Sequence, residues 1–242
     1  MSRASRPLPQ SQGEPMNDER RALAKAARLH AEGLKLMGLE ALPRGGDRGG
    51  RSERLAALAR AVEQCRKCPL YRTRTHAVVS DGSQDAELMF IGEAPGRDED
   101  LQGKPFVGAA GKLLTKMIEA MGLHREQVYI CNILKDRPPN NRTPEPSEVD
   151  ACLPYLLEQI EIIRPKVICT LGAVAVKALF GPHIAISRVR GSVKEYEGVP
   201  LVPTYHPAYL LRNPAAKPQA WEDLQVVLKV LGREPPTKTR TR

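Results

Sequence analysis

Five short stretches of this chain carry residue types that do chemistry in company rather than alone. Cys65-Arg66-Lys67-Cys68 places two thiols at the spacing of half a metal site. Cys152, on a helix just after a Pro-rich loop, is free to serve as a third; Cys131 and Cys169 lie in apolar runs and read as small core residues. A fourth donor is needed: structural zinc accepts Cys, His or Asp, and a 4Fe–4S cluster prefers four thiolates. No strand precedes the Cys pair, which argues against a thioredoxin-type redox motif. Gly92-Glu93-Ala94-Pro95-Gly96 ends an apolar run and lets backbone approach a ligand closely, but it has neither P-loop nor dinucleotide spacing. Phe106, in Gly103-Lys104-Pro105-Phe106-Val107-Gly108, is a plausible plate for a flat ring. Out of context, an anchor for the following helix is its commoner role. Asn132, in an apolar strand, carries a donor and an acceptor side by side, which matches a nucleobase edge. It is equally a structural amide bonding a loop. His206 precedes Pro207-Ala208-Tyr209-Leu210-Leu211-Arg212, in which Leu210 and Leu211 could wedge between bases and Arg212 hold a phosphate, or the leucines could pack inward.

These segments need a scaffold that gathers them. Residues 87–91, 128–134 and 166–171 are short apolar runs that read as strands, with shorter ones at 193–196 and 201–203. Helices are expected at 17–37, 53–64 and 109–121, from a Ser147 cap to about 163, then up to Phe180, and at 218–231. Residues 97–100, 136–146 and 206–213 read as loops. Strands alternating with helices predict an α/β fold, with a mostly parallel sheet covered on both faces. Ligands of such folds gather outside the carboxyl ends of the strands, where the Gly92–Gly96 segment, Asn132 and His206 all fall.

The chain has 242 residues, 41% of them hydrophobic, enough for a real core. Residues 1–52 read as an N-terminal extension ending in a Gly-rich linker, 53–232 as the folded domain and 233–242 as a basic tail. The net charge of +9 lies mostly at the ends: residues 52–232 carry 23 basic against 21 acidic groups. Basic ends add only sequence-independent affinity for phosphate, so charge alone assigns no partner. No run approaches the roughly 18 apolar residues of a membrane helix, and the N-terminus has no signal-like apolar region. Five Cys suit a reducing, cytoplasmic compartment better than a disulfide scaffold.

The segments GEAPGRDED, GKPFVGAAGKLL, VYICNILKDRPPNNRTP, the helix bearing Cys152 and HPAYLLRNP follow one another across roughly residues 62–232. Together this series resembles the family 4 uracil-DNA glycosylases, the iron–sulfur branch of their superfamily. The resemblance implies a three-layer α/β/α sandwich with a four-stranded, mainly parallel sheet. It implies a DNA-repair enzyme that flips deoxyuridine out of DNA and hydrolyses its N-glycosidic bond. Gly92, Glu93 and Ala94 would line the uracil pocket, Phe106 stack on the ring, Asn132 read its polar edge and His206 lie over O2. Glu93 would position water or merely shape the pocket, and Leu210, Leu211 and Arg212 would enter the duplex. The cluster ligands would be Cys65, Cys68, the residue within LKDRPP, and Cys152.

One position departs from the pattern, since the family usually has Cys before RPP and this chain has Asp136. Asp136 ligation through a harder donor, a three-iron cluster on three Cys, and loss of the cluster to zinc or nothing are all open. Asp136 ligation is favoured because the other three positions are retained. A related branch that stays covalently attached to DNA carries GEQPG and a basic insertion that this chain does not have, so turnover is expected. The alternatives are a glycosylase for hypoxanthine or xanthine, and a non-catalytic metal-stabilised DNA-binding module. Retention of Asn132 and His206 argues against the second. The resemblance also implies a monomer.

Overall fold

Strands form where apolar residues run without a break. In the computed structural model, which describes residues 48–236, β2 (Leu88–Gly92), β3 (Tyr129–Asn132), β4 (Val167–Leu171) and β6 (Val199–Thr204) pair in parallel in the order β3-β2-β4-β6. Two short antiparallel strands add the edges: β1 (Asp81–Gly82) beside β3 and β5 (Lys194–Tyr196) beside β6. The expected four-stranded parallel sheet is therefore the centre of a six-stranded mixed one. A two-residue polar strand such as β1 has no apolar pattern to reveal it.

Alternate residues point to opposite faces and build a layer on each. Leu88, Phe90, Ile130 and Cys169 face α3 (Ala109–Ala120) and α8 (Lys217–Val230), meeting Leu114, Ile118, Leu224 and Val227. Met89, Ile91, Cys131 and Ile168 face α4 (Pro146–Ile163) and α5 (Ala173–Phe180), meeting Leu156, Ile160 and Leu179. The result is the α/β/α sandwich expected.

Several boundaries differ from the sequence reading, each for a local reason. α1 (Arg48–Glu63) begins inside the segment read as linker. Its first turns are tied down by Arg51 on Asp85 at 2.7 Å and by Arg54 on the buried Glu158 at 2.6 Å. Residues 97–100, read as a loop, open a short helix, α2 (Arg97–Gln102). α4 starts one residue before Ser147, with Pro146 at its first position and the Glu148 carboxylate accepting the Glu145 N–H at 2.8 Å. After a one-turn helix, α6 (Ile186–Val189), residues 207–212 form a helical turn and a half, α7 (Pro207–Arg212), capped by His206. The helix expected at 17–37 and the end of the basic tail lie outside the described residues. Among the described residues, no helix is long and apolar enough to cross a membrane.

Candidate active site

Parallel register aligns Gly92 with Asn132 at the carboxyl ends of β2 and β3. The pairing continues past the strands, with Ile133 N–H on Gly92 O and Leu134 N–H on Glu93 O, both at 3.0 Å. Asn132 and Phe106 close over Gly92. A Cβ there would lie 2.4 Å from Asn132 Oδ1 and 2.5 Å from Phe106 Cζ, so only glycine leaves room for both side chains. Asn132 is 2% exposed, and its Oδ1 has no hydrogen-bond partner among the described residues. A buried acceptor left open in this way is costly unless a ligand supplies the donor.

Phe106 is held in a conformation that a non-glycine residue rarely adopts, with φ of 54°. Three contacts enforce it. Arg125 Nη2 donates to Pro105 O at 2.6 Å. The Glu99 carboxylate, from α2, accepts the N–H groups of Val107 and Gly108 at 2.9 Å and of Gly96 at 3.0 Å, joining the Phe106 loop to the end of the Gly92–Gly96 turn. Gly111 lets α3 approach, since a Cβ there would fall 1.8 Å from Phe106 O.

His206 enters from β6. Its Nδ1 accepts the Ala208 N–H at 3.1 Å, which caps α7 and leaves the ring proton of the neutral imidazole on Nε2. Its ring lies 5.6 Å from that of Phe106 between centroids. Burial, followed by the charge of Arg212, pushes the imidazole down to about 4, so it is uncharged at neutral pH. Gly172 makes the approach possible, a Cβ there being 2.9 Å from His206 Cβ.

These groups line a cleft of about 480 Å³ that also holds Glu93, Ala94, Arg142, Tyr209 and Arg212. Burial alone pushes the Glu93 carboxyl above its ordinary range. Behind Asn132, the fully buried Lys135 donates to Asn132 O and to Gln159 Oε1, both at 2.6 Å. Gln159 in turn donates to Val79 O and the Tyr129 hydroxyl. The strand end that carries Asn132 is thus fixed from below. An aromatic recess, an open amide and a neutral imidazole suit a flat heterocycle with its own donor.

A family profile described as the uracil DNA glycosylase superfamily matches residues 79–225. The chain belongs to that superfamily. It is 47% identical over 193 residues to the type-4 uracil-DNA glycosylase of Archaeoglobus fulgidus, covering 76% of this chain and 97% of the relative. It is 48% identical over 165 residues to the type-4 enzyme of Thermotoga maritima, covering 67% and 86%. Against a type-5 uracil-DNA glycosylase of Pyrobaculum aerophilum the identity falls to 29% over 181 residues, covering 67% and 79%.

For this uracil-DNA glycosylase superfamily member, the mouth of the cleft corrects one expectation. Leu210 is 1% exposed and packs in the core against α3 and α8, because the helical turn of α7 rotates it inward. Leu211, at 44%, and Tyr209, at 39%, are the exposed large residues of α7, and Arg212 is exposed beside them. Tyr209 stacks on Tyr205 at 4.9 Å, and Tyr205 lies under the Arg190 guanidinium at 5.3 Å. Arg190 is anchored on the buried Asp223 at 2.7 Å. Nothing in the local sequence sets Tyr209 apart; its signal is the helical period, which turns it about 100° away from the inward-facing Leu210.

The thiols lie on the far side of residues 132–136. Cys68 and Cys152 are hydrogen-bonded, which holds the Cys68 thiol down to about 7, and both pack with Leu70 and Leu134. Cys65 is hydrogen-bonded to the buried Tyr155, next to them on α4. Cys131 and Cys169 are core residues, as expected. Asp136 is buried, and Arg74 Nη1 grips both of its oxygens, at 2.8 and 3.0 Å. Burial pushes its carboxyl up, so the guanidinium is what favours the charged form. Among the described residues, no three Cys, His, Asp or Glu converge on one ion position. Of the donors expected for an iron–sulfur cluster, Cys68 and Cys152 touch one another, and Cys65 reaches the same helix through Tyr155. The fourth does not fit, because Asp136 is already engaged by Arg74.

Proposed function

We propose that this chain hydrolyses the N-glycosidic bond of deoxyuridine in DNA, releases uracil, leaves an abasic site and turns over. The observation that carries this reading is the open Asn132 Oδ1, buried over Gly92 beside the Phe106 ring. Uracil stacked on Phe106 offers N3–H to that oxygen and O4 to the amide N–H. Cytosine presents the opposite pattern at the same edge. A deoxyuridine within a duplex must leave the stack to reach the recess.

As the bond breaks, its electron pair passes to the base and the sugar becomes cationic. His206 Nε2–H donates to O2, where charge gathers, and a preorganised donor of this kind lowers the barrier. Of the two carboxylates lining the cleft, Glu99 is taken by three backbone N–H groups. Glu93 is the one left to hold the water that attacks C1′. Leu211 and Tyr209 face the duplex and Arg212 takes a phosphate. The enzyme works as a monomer on uracil-containing DNA, in the compartment that holds the genome. Cys65, Cys68 and Cys152 are the residues that would hold iron and sulfide, in a structural role outside the reaction.

Oligonucleotides carrying one deoxyuridine, thymidine or deoxyinosine, treated with the protein and then with alkali, test the assignment. Cleavage at deoxyuridine and none at thymidine is expected. Cleavage confined to deoxyinosine would move the activity to other deaminated bases, and no cleavage by folded protein would leave a binding module.

A further inference from the structure

The residue before Arg137-Pro138-Pro139 is where this chain departs from its family, and its surroundings explain what the departure does. Arg74 reaches two separate segments at once. Its Nη1 holds both oxygens of Asp136 and donates to Val62 O at 3.3 Å, and its Nη2 donates to Glu63 O. Val62 and Glu63 are the last residues of α1, whose final carbonyls have no partner within the helix. Two residues beyond them stands Cys65. The segment after Arg74 is bound to the same place, with Val78 N–H on Lys135 O at 2.8 Å, and is steadied by Asp100 on the Thr75 N–H and hydroxyl. The Arg74 side chain therefore caps α1, fixes the start of the Cys65–Cys68 turn and ties both to the loop that leads away from Asn132.

A metal ligand at Asp136 would have to give up this arrangement. Both carboxylate oxygens are committed, and releasing them would leave a mostly buried guanidinium without its anion. We infer that the Arg74–Asp136 ion pair makes, in this chain, the tie that a fourth iron ligand would make, and that any iron bound here rests on Cys65, Cys68 and Cys152 alone. The pair is an electrostatic clip between the end of α1 and the loop below the base pocket. It holds whether or not iron is present. The inference goes beyond the glycosylase reading, and its tests need no DNA.

The test compares wild-type chain with Asp136→Asn and with the double variant Arg74→Met/Asp136→Leu. Each is purified anaerobically and supplied with ferrous iron and sulfide. Iron and sulfide per chain, the visible and electron paramagnetic resonance spectra, and Tm are measured. The expected result is a Tm roughly 5–10 °C lower for Asp136→Asn, with iron content and spectra unchanged. The double variant, which removes both charges together, should recover most of that Tm at the same iron content. If Asp136→Asn does not yield folded protein, the double variant decides by itself. Loss of iron or a changed spectrum in either variant would make Asp136 a ligand and overturn the inference. So would an Asp136→Asn Tm equal to wild type.

Discussion

At the residue scale the pocket depends on an atom that is absent and a proton that is absent. Gly92 carries no Cβ, so Asn132 and Phe106 can meet. His206 carries no second proton, which leaves its one N–H on Nε2 for the proposed bond to O2. Asn132→Ala should lower kcat/KM for uracil release by roughly 10²–10³-fold while leaving affinity for undamaged DNA nearly unchanged. Excision kinetics and binding to matched oligonucleotides check this, and equal losses in both would remove its reading role. The pH profile separates the two titrating groups. An ordinary imidazole loses its neutral form below about 6.5, whereas His206 keeps it down to about 4. Activity should therefore show no break near 6.5 from His206, and its acid limb should follow Glu93, whose carboxyl lies above the usual range. kcat/KM between pH 4.5 and 8 for wild type and Glu93→Gln would show it. An acid limb that survives unchanged in Glu93→Gln belongs to another group. The linkage has a definite sign: between about 4 and 6.5 the unfolded chain takes up a His206 proton that the native one refuses. This contribution to stability is complete above 6.5 and declines as pH falls towards 4. That Asn132, Phe106 and His206 share one cleft was legible only from the five segments taken together, since each alone has an ordinary structural reading. Glu99, Lys135 and Arg74 were not legible, because their roles lie in partners far along the chain or in turns whose closure the sequence does not display.

At the scale of elements, short connecting pieces do the positioning. Residues 97–100 of α2 were read as a polar loop because four consecutive charged residues show no apolar period. Yet its Glu99 fixes the strained backbone around Phe106. Glu99→Ala should leave three N–H groups without their acceptor and cost about 2 kcal/mol. It should also reduce kcat/KM roughly tenfold or more through a loosened Phe106 loop. Denaturant unfolding and excision kinetics measure the two effects, and a stability loss with unchanged kinetics would detach Glu99 from the pocket. α7 shows the same limit. Read as a loop, residues 207–212 offer both leucines to DNA; as a helix they offer Leu211 and Tyr209 and bury Leu210. Leu211→Ala should weaken excision from duplex more than from single strands, whereas Leu210→Ala should act through stability alone. Parallel assays on the two substrate forms distinguish them.

At the scale of the molecule, β2, β3 and β4 were readable because each is an apolar run between breakers, whereas β6, interrupted by Pro200 and Pro203, showed only as a short strand at 201–203, and the order of the strands was not readable. Of the two edge strands, β5 falls within the strand expected at 193–196, whereas the two-residue polar β1 was not readable. The domain also begins earlier than the Gly-rich composition suggests. Removal of residues 1–47 should leave Tm and uracil release intact, since every residue assigned to the pocket lies beyond it. Extending the cut through Arg54 would leave Glu158 buried without its cation, at about 3–5 kcal/mol. Thermal melts of both truncations check this, and loss of activity in the shorter cut would place part of the site in the extension. The most direct test of the account as a whole is the rate of free uracil release from excess deoxyuridine oligonucleotide, wild type beside Gly92→Ala. The account predicts many turnovers per wild-type chain. For the variant it predicts folded protein that still binds DNA but releases uracil at least 10²-fold more slowly, because the added methyl fills the space where Asn132 and Phe106 meet. Equal rates for the two proteins, or no release by the wild type, would contradict it.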